Sequence, residues 1–305
     1  MLDQISSFLK HLALPYDVTI HNYAAICPRV NLVRHDANYC GEPDEKGCLR
    51  CLLEGGYKLA DDILWWRHHA LSIIREADRV LCPSIDTGER IRKHGVGCRV
   101  IIAPHERQLY RPQRTLRLLP LAASDLLRVA VLGTLSEHKG GNFLLDCIEV
   151  GNELRAKIEW NVVGEFLSPP LKARANQLSE FLNVSGPYQA GDVQRLLADV
   201  APHVLFFPQR WPETYSFTLS EALETGIPII APNIGSFTER IAGLSHCWLY
   251  PLEATAYALV EKLVLIHRNY SGMGVSFDDQ ADHWADPSGI PIEFQFYNTH
   301  YLRPL

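Results

Sequence analysis

The 305-residue chain has no run of about eighteen apolar residues, so it carries no ordinary membrane-spanning helix. It has no long basic stretch either. With 29 Lys and Arg against 35 Asp and Glu, the formal net charge is −6, which argues against a dedicated nucleic-acid binder. Short repeats and low-complexity tracts are missing, which excludes solenoids and biased linkers. The opening MLDQISSFLKHLAL places acidic Asp3 early and offers no small-residue cleavage site, so it does not read as a signal peptide. The expected compartment is therefore the cytoplasm. Disorder is excluded by an apolar content of 47%, enough to build a core, and the length fits two domains.

What is present is an alternation of short apolar runs with amphipathic stretches. The first part reads as helices over Gln4–Leu12 and Ile63–Glu76 and strands over Asp17–His21, Arg79–Cys82 and Arg99–Ala103. In the second part, strands over Arg128–Leu132, Glu159–Val163, Val204–Phe207 and Pro228–Ala231 alternate with helices near Asn142–Gly151, Leu171–Leu182, Asp192–Val200 and Phe217–Thr225. Continuous apolar strands separated by helices indicate parallel sheets buried on both faces. Residues 107–126, with clustered arginines and two prolines, form the expected boundary.

The segment from Val204 to Pro232, VLFFPQRWPETYSFTLSEALETGIPIIAP, is the most informative. It reads as strand, loop, helix and strand, with Gly226 and Pro228 stopping the helix. Ligands bind at the carboxyl ends of such strands, and a helix N-terminus receives phosphate. Glu213 lies in the loop and Glu221 in the first turns of the helix. Glu221 is placed to meet a ribose diol and Glu213 a sugar beyond the phosphates. A second strand–turn–helix, RVAVLGTLSEHKGG, carries Gly133, Thr134 and Lys139, and a cation there can neutralise a diphosphate leaving group.

The spacing Glu213-x7-Glu221, followed by Gly226 and Pro228, resembles the signature of the retaining group-1 glycosyltransferases of the GT-B fold. WPETYSFTLSEAL resembles a branch that makes bacterial surface polysaccharides, often as modules of larger proteins. The resemblance implies that Glu213 contacts the donor sugar, Glu221 the ribose, and the backbone of Tyr215, Ser216, Phe217 and Thr218 the diphosphate. Gly133, Lys139 and Gly140 match the family's glycine–cation element, with Thr134 where Arg is common. Gly164 matches its Val-Gly pair and equally suits a plain turn. Glu239 is expected either at the nucleotide base or as a cap on the following helix. His21 ends the first strand where the family places a cleft histidine, with Asn22 in place of the commoner Asp. His105 ends another strand, to touch donor or acceptor or serve as a hinge.

Cys27, Cys40, Cys48 and Cys51 fall in a loop over 27–51. One C-x-x-C pair with two further thiols fits a structural zinc site, and it also fits free thiols or a redox pair. The same cysteine pattern accompanies the branch.

The expected fold is α/β and GT-B-like: two Rossmann-like parallel-sheet domains facing a cleft, the first incomplete. The first spans 1–120, the second, nucleotide-sugar-binding domain 126–285, and a tail over 286–305 crosses back to the first. The resemblance implies hexosyl transfer from a nucleotide-diphosphate sugar to a glycan or lipid-linked acceptor, with retention and without a catalytic cofactor. It also implies contact at the inner membrane face and attachment to further domains of a larger polypeptide. The alternative is a nucleotide-sugar-binding or scaffold module without turnover. Its motive is that no glycine-rich strand–turn–helix precedes Asp17.

Overall fold

The computed structural model describes residues 2–56, 62–97, 99–105, 117–189 and 191–271. The expected tail, the first half of the boundary segment and the end of the second domain lie outside these residues. The first domain contains α1 (Leu2–Leu12), β1 (Asp17–Thr19), α2 (Glu45–Glu54), α3 (Ile63–Glu76), β2 (Arg79–Cys82), α4 (Ile85–Arg92) and β3 (Val100–Ile102). Its strands form a parallel sheet in the order β1-β2-β3. Three helices start on local caps: the side chains of Asp44, Asp62 and Ser84 accept from the N–H groups of Gly47, Leu64 and Thr87.

The second domain runs β4 (Leu127–Leu135), α5 (Gly141–Glu153), β5 (Ile158–Phe166), α6 (Pro169–Gln177), β6 (Leu182–Val184), α7 (Val193–Val200), β7 (Val204–Phe206), α8 (Phe217–Thr225), β8 (Ile229–Pro232), α9 (Ser236–Ile241), β9 (Cys247–Tyr250) and α10 (Ala256–Ser271). Its sheet is parallel throughout, in the order β6-β5-β4-β7-β8-β9. Alternate residues of β4 feed opposite cores. Val129 and Val131 join one packed with α5 and α10, and Ala130 and Leu132 join one packed with α7 and α8. The chain runs outward on one side of β4 through β5 and β6, and on the other through β7, β8 and β9. The carboxyl ends of β4 and β7 therefore flank a topological switch point, where open α/β sheets bind ligands.

Several expected elements differ in extent. The strand from Asp17 shortens to Thr19, with Ile20 still donating to the Leu81 carbonyl at 2.9 Å. The cysteine segment is not all loop, because Asp44 starts a helix that carries Cys48 and Cys51. The helix expected over Leu171–Leu182 ends at Gln177, and its last residue starts β6. The described part of the boundary segment packs on the second domain: Arg117 N–H donates to the Gly226 carbonyl, and Leu121 joins the core beside α5.

The loop after β7 binds the two domains together. Trp211, 8% exposed, is packed in the first domain's core with Ile20, Tyr23 and Val33. Tyr39 N–H donates to the Arg210 carbonyl at 3.1 Å, and Thr214 Oγ1 donates to the His21 carbonyl at 2.8 Å. Truncating a buried aromatic leaves a cavity, so Trp211→Ala should cost about 3–5 kcal/mol of stability. Denaturant unfolding measures the loss, and an unchanged midpoint would show that the indole only rests on the surface.

Candidate active site

Glu213 hangs from this loop in a nearly dry setting, 8% exposed. Burial pushes its carboxyl above the usual range, while Lys139, a hydrogen bond with Ser216 and the charge of Arg240 pull the other way. Lys139, in the β4–α5 turn, thus lies near enough to Glu213, in the β7–α8 loop, for its charge to act on the carboxyl.

Loop geometry follows from how its carbonyls are held. Arg240 Nη1 donates to the carbonyls of Tyr215 and Ser216 at 2.7 and 2.8 Å, and its guanidinium lies 4.2 Å from the Tyr215 ring centroid. Ser236 Oγ adds a bond to the Tyr215 carbonyl. Ser216 precedes α8 with φ +67°, ψ +92°, a left-handed conformation that is costly for a residue bearing a Cβ, and it makes no side-chain cap. The start of α8 therefore presents amide groups without a side-chain oxygen over them. Gly133 is pressed against this helix end, since a Cβ on it would lie 3.2 Å from Thr218 Cγ2. Thr134 is exposed and pairs in register with Glu165, as Gly133 does with Gly164. The Gly164 N–H donates to Ser185 Oγ. Gly133, Lys139, Glu213 and the first turn of α8 are thus gathered at the switch point.

Glu221 sits farther along α8, where the Tyr188 hydroxyl bonds to its carboxylate. Burial and this carboxylate push the Tyr188 hydroxyl up to about 12. Tyr188 was not singled out from sequence, although its position in the polar SGPY turn after β6 was a usable signal. From the first domain, His21 and His105 stack with centroids 4.7 Å apart. His105 also stacks on Phe217 at 5.8 Å and meets Tyr215 edge-on. Burial and the neighbouring His21 hold His105 down at about 4, so it is neutral near pH 7. Phe217 leaves 55% of its surface exposed at this edge.

Two expectations need correction. Glu239 is a cap, but of a helix in the first domain: its two carboxylate oxygens accept from the N–H groups of Ile85 and Asp86, each at 3.1 Å, at the start of α4. Cys27, Cys40, Cys48 and Cys51 do line one small cavity, of about 20 Å³. Yet among the described residues no three His, Cys, Asp or Glu side chains are arranged to hold a metal ion. Two of the sulfurs are engaged by other groups: Glu42 N–H donates to Cys40 Sγ, Arg67 donates to Cys48 Sγ, and Cys48 Sγ itself points to the Pro43 carbonyl. Burial pushes the Cys27 and Cys40 thiols up to about 11, which favours the protonated form.

No family model matches the chain, and no curated protein matches it. Solved structures do. HepE from Anabaena, in complex with UDP, superposes with a TM-score of 0.55 at 15% identity, covering 88% of this chain and 69% of HepE. The lipopolysaccharide outer core galactosyltransferase WaaB gives 0.52 at 16% identity, covering 89% and 70%. A variant of S. aureus TarM, solved with fondaparinux, α-GlcNAc-glycerol and UDP, gives 0.51 at 12%, covering 66% and 40%. These likenesses establish the fold, two parallel-sheet α/β domains of the GT-B type. Among the described residues no helix is long and apolar enough to cross a membrane.

The lowered His105 has a signed consequence. Between about pH 6.5 and 4 the unfolded chain takes up a proton at this position that the folded chain refuses, so stability falls as pH falls through that window. His105→Gln should flatten the stability–pH slope there relative to the native chain. Equal slopes in urea titrations at several pH values would refute the assignment.

Proposed function

We propose that the chain is a glycosyltransferase that moves a hexosyl group from a nucleotide-diphosphate sugar to a glycan or lipid-linked acceptor, with retention, in polysaccharide biosynthesis. The observation that carries this reading is the uncapped start of α8 packed against the Gly133 turn, with buried Glu213 in the loop before it and Lys139 in the turn after Gly133. A diphosphate needs a cation and converging amides, and both stand at one strand-end crevice. The complexes of HepE and TarM with UDP support a uridine nucleotide as the first donor to try.

In this reading the α8 amides and Lys139 hold the diphosphate, and Glu221, steadied by Tyr188, takes the ribose diol. Glu213 bonds the sugar hydroxyls. Its low-dielectric setting strengthens that contact, and Lys139 keeps its negative charge tolerable. The bond from the anomeric carbon to the diphosphate oxygen breaks while the acceptor oxygen bonds to that carbon from the same face. The acceptor proton passes to the departing diphosphate oxygen. Lys139 and the helix start offset the negative charge that grows there, an electrostatic role that requires no covalent nucleophile from the protein. His21 and His105 wall the sugar side of the cleft, with His105 neutral and able to hydrogen-bond without adding charge.

A second reading, nucleotide-sugar binding without turnover, is favoured by one feature: Thr134 stands exposed where the resemblance has a second cation. Two measurements separate the readings. Calorimetry with UDP-, GDP- and dTDP-sugars should show binding by one of them that Glu221→Ala weakens by about 1–3 kcal/mol, the scale of lost hydrogen bonds to a charged group. No binding to any of the three would overturn both readings. Slow hydrolysis of the bound donor should fall about 100-fold or more in Glu213→Ala, as expected for loss of transition-state contacts. Binding with no hydrolysis in the native chain would leave only the binding module.

A further inference from the structure

α9 is a single short helix, yet it touches the donor loop and the opposite domain at once. On the loop side, the Gly235 backbone packs so closely that a Cβ there would lie 2.8 Å from Glu213 N and O. Ser236 N–H donates to the Glu213 carbonyl at 3.0 Å, and Arg240, 6% exposed, holds the carbonyls of Tyr215 and Ser216 as well as Ser220 Oγ. On the other side, the residue beside Arg240 reaches into the first domain, where Glu239 spreads its carboxylate over the N–H groups of Ile85 and Asp86.

A carboxylate on two amides at a helix start is a charge-assisted contact, favoured also by the helix dipole. Ser84 Oγ already takes the Thr87 amide of α4, so Glu239 completes that turn from across the interface. Nearby, Thr87 Oγ1 donates to the Thr214 carbonyl, one residue from Glu213.

We propose that Glu239 is a positioning residue for the reaction: it latches α4 onto α9, the helix that already fixes the Glu213 loop through Arg240 and Ser236, so that the first domain is held at a set distance from a donor loop whose own shape does not need the latch. Glu239 touches neither donor nor acceptor. It acts by holding the first domain, with His21 and His105, at the distance from Glu213 that transfer requires. A displacement of about 1 Å at a reacting centre can cost roughly 100-fold in rate.

The latch can be cut from either end. Glu239→Ala removes the acceptor. Ile85→Pro removes one donor and keeps the helix, because Ile85 is the first helical residue after Ser84, a position proline tolerates, and Ser84 is already extended at φ −148°, ψ 158°. Ile85→Ala retains the N–H and serves as control. Both variants should keep native UDP affinity by calorimetry; Glu239→Ala should slow donor hydrolysis about tenfold or more and raise the radius of gyration in solution scattering without nucleotide, and Ile85→Pro, which leaves the Asp86 amide bonded, should move both in the same direction by less. The double variant should be no slower than Glu239→Ala alone, because the two changes break one contact. Ile85→Ala should behave as native.

Fully additive effects, or native scattering and turnover in Glu239→Ala, would overturn the latch. The turnover arm rests on the transferase reading, whereas the scattering arm does not. A chain that opens on mutation but never hydrolyses donor therefore retains the latch and loses the transferase. Should Glu239→Ala fail to fold, Ile85→Pro against Ile85→Ala makes the same comparison.

Discussion

The loop from Pro208 to Ser216 is gripped from both domains, and the rest of the site depends on that grip. Trp211 enters the first domain's core, the Arg210 carbonyl accepts from Tyr39 N–H, Thr214 Oγ1 donates to the His21 carbonyl, and Arg240 and Ser236 fasten the loop's carbonyls from behind. A nine-residue loop with two prolines and no regular hydrogen-bonded structure would otherwise have little reason to hold one shape. With its carbonyls tied back, it can keep Ser216 in a left-handed conformation and Glu213 out of water. Both are unfavourable alone and persist only where surrounding contacts over-determine them.

The electrostatics follow the same logic. A buried carboxylate without a partner would take up a proton, and Lys139, brought from an element more than seventy residues earlier, opposes that. From the first domain, stacked imidazoles meet the start of α8, where His105 packs on Tyr215 and Phe217. His105 is kept neutral by burial and by its neighbour, so the cleft wall adds hydrogen-bonding capacity with little charge.

Much of this was legible in the sequence. The bounds of α3, β2 and α8 follow directly from apolar period and stop signals, because these elements bury one clear face or run between marked ends. Glu213, Lys139 and Gly133 were legible because their elements announce themselves as strand–turn–helix. Short polar elements were harder: α4, IDTGERIR, has too few apolar residues to show a period, and its start is visible only once Ser84 is seen to cap it. The contact of Glu239 is invisible in the sequence because its partners are backbone amides about 150 residues away, and backbone groups leave no mark there. The helix over Glu45–Glu54 is obscured in the sequence by its cysteine spacing, which points to thiol chemistry, and only Asp44 marks its start. Tyr188 and Arg240 act by reaching across the fold, which spacing along the chain cannot show.

Trp211 also bears on the order in which the molecule can be made. Its neighbours in the first domain, such as Ile20 and Tyr23, leave the ribosome about 190 residues earlier. The amino-terminal core therefore waits, unfinished, while the chain of the second domain is synthesised, and is completed by a residue from that later segment. Such a long-range closure is slow and leaves apolar surface open in the meantime. For the nascent chain, the wall of the cleft and the loop that crosses it mature in a single late step.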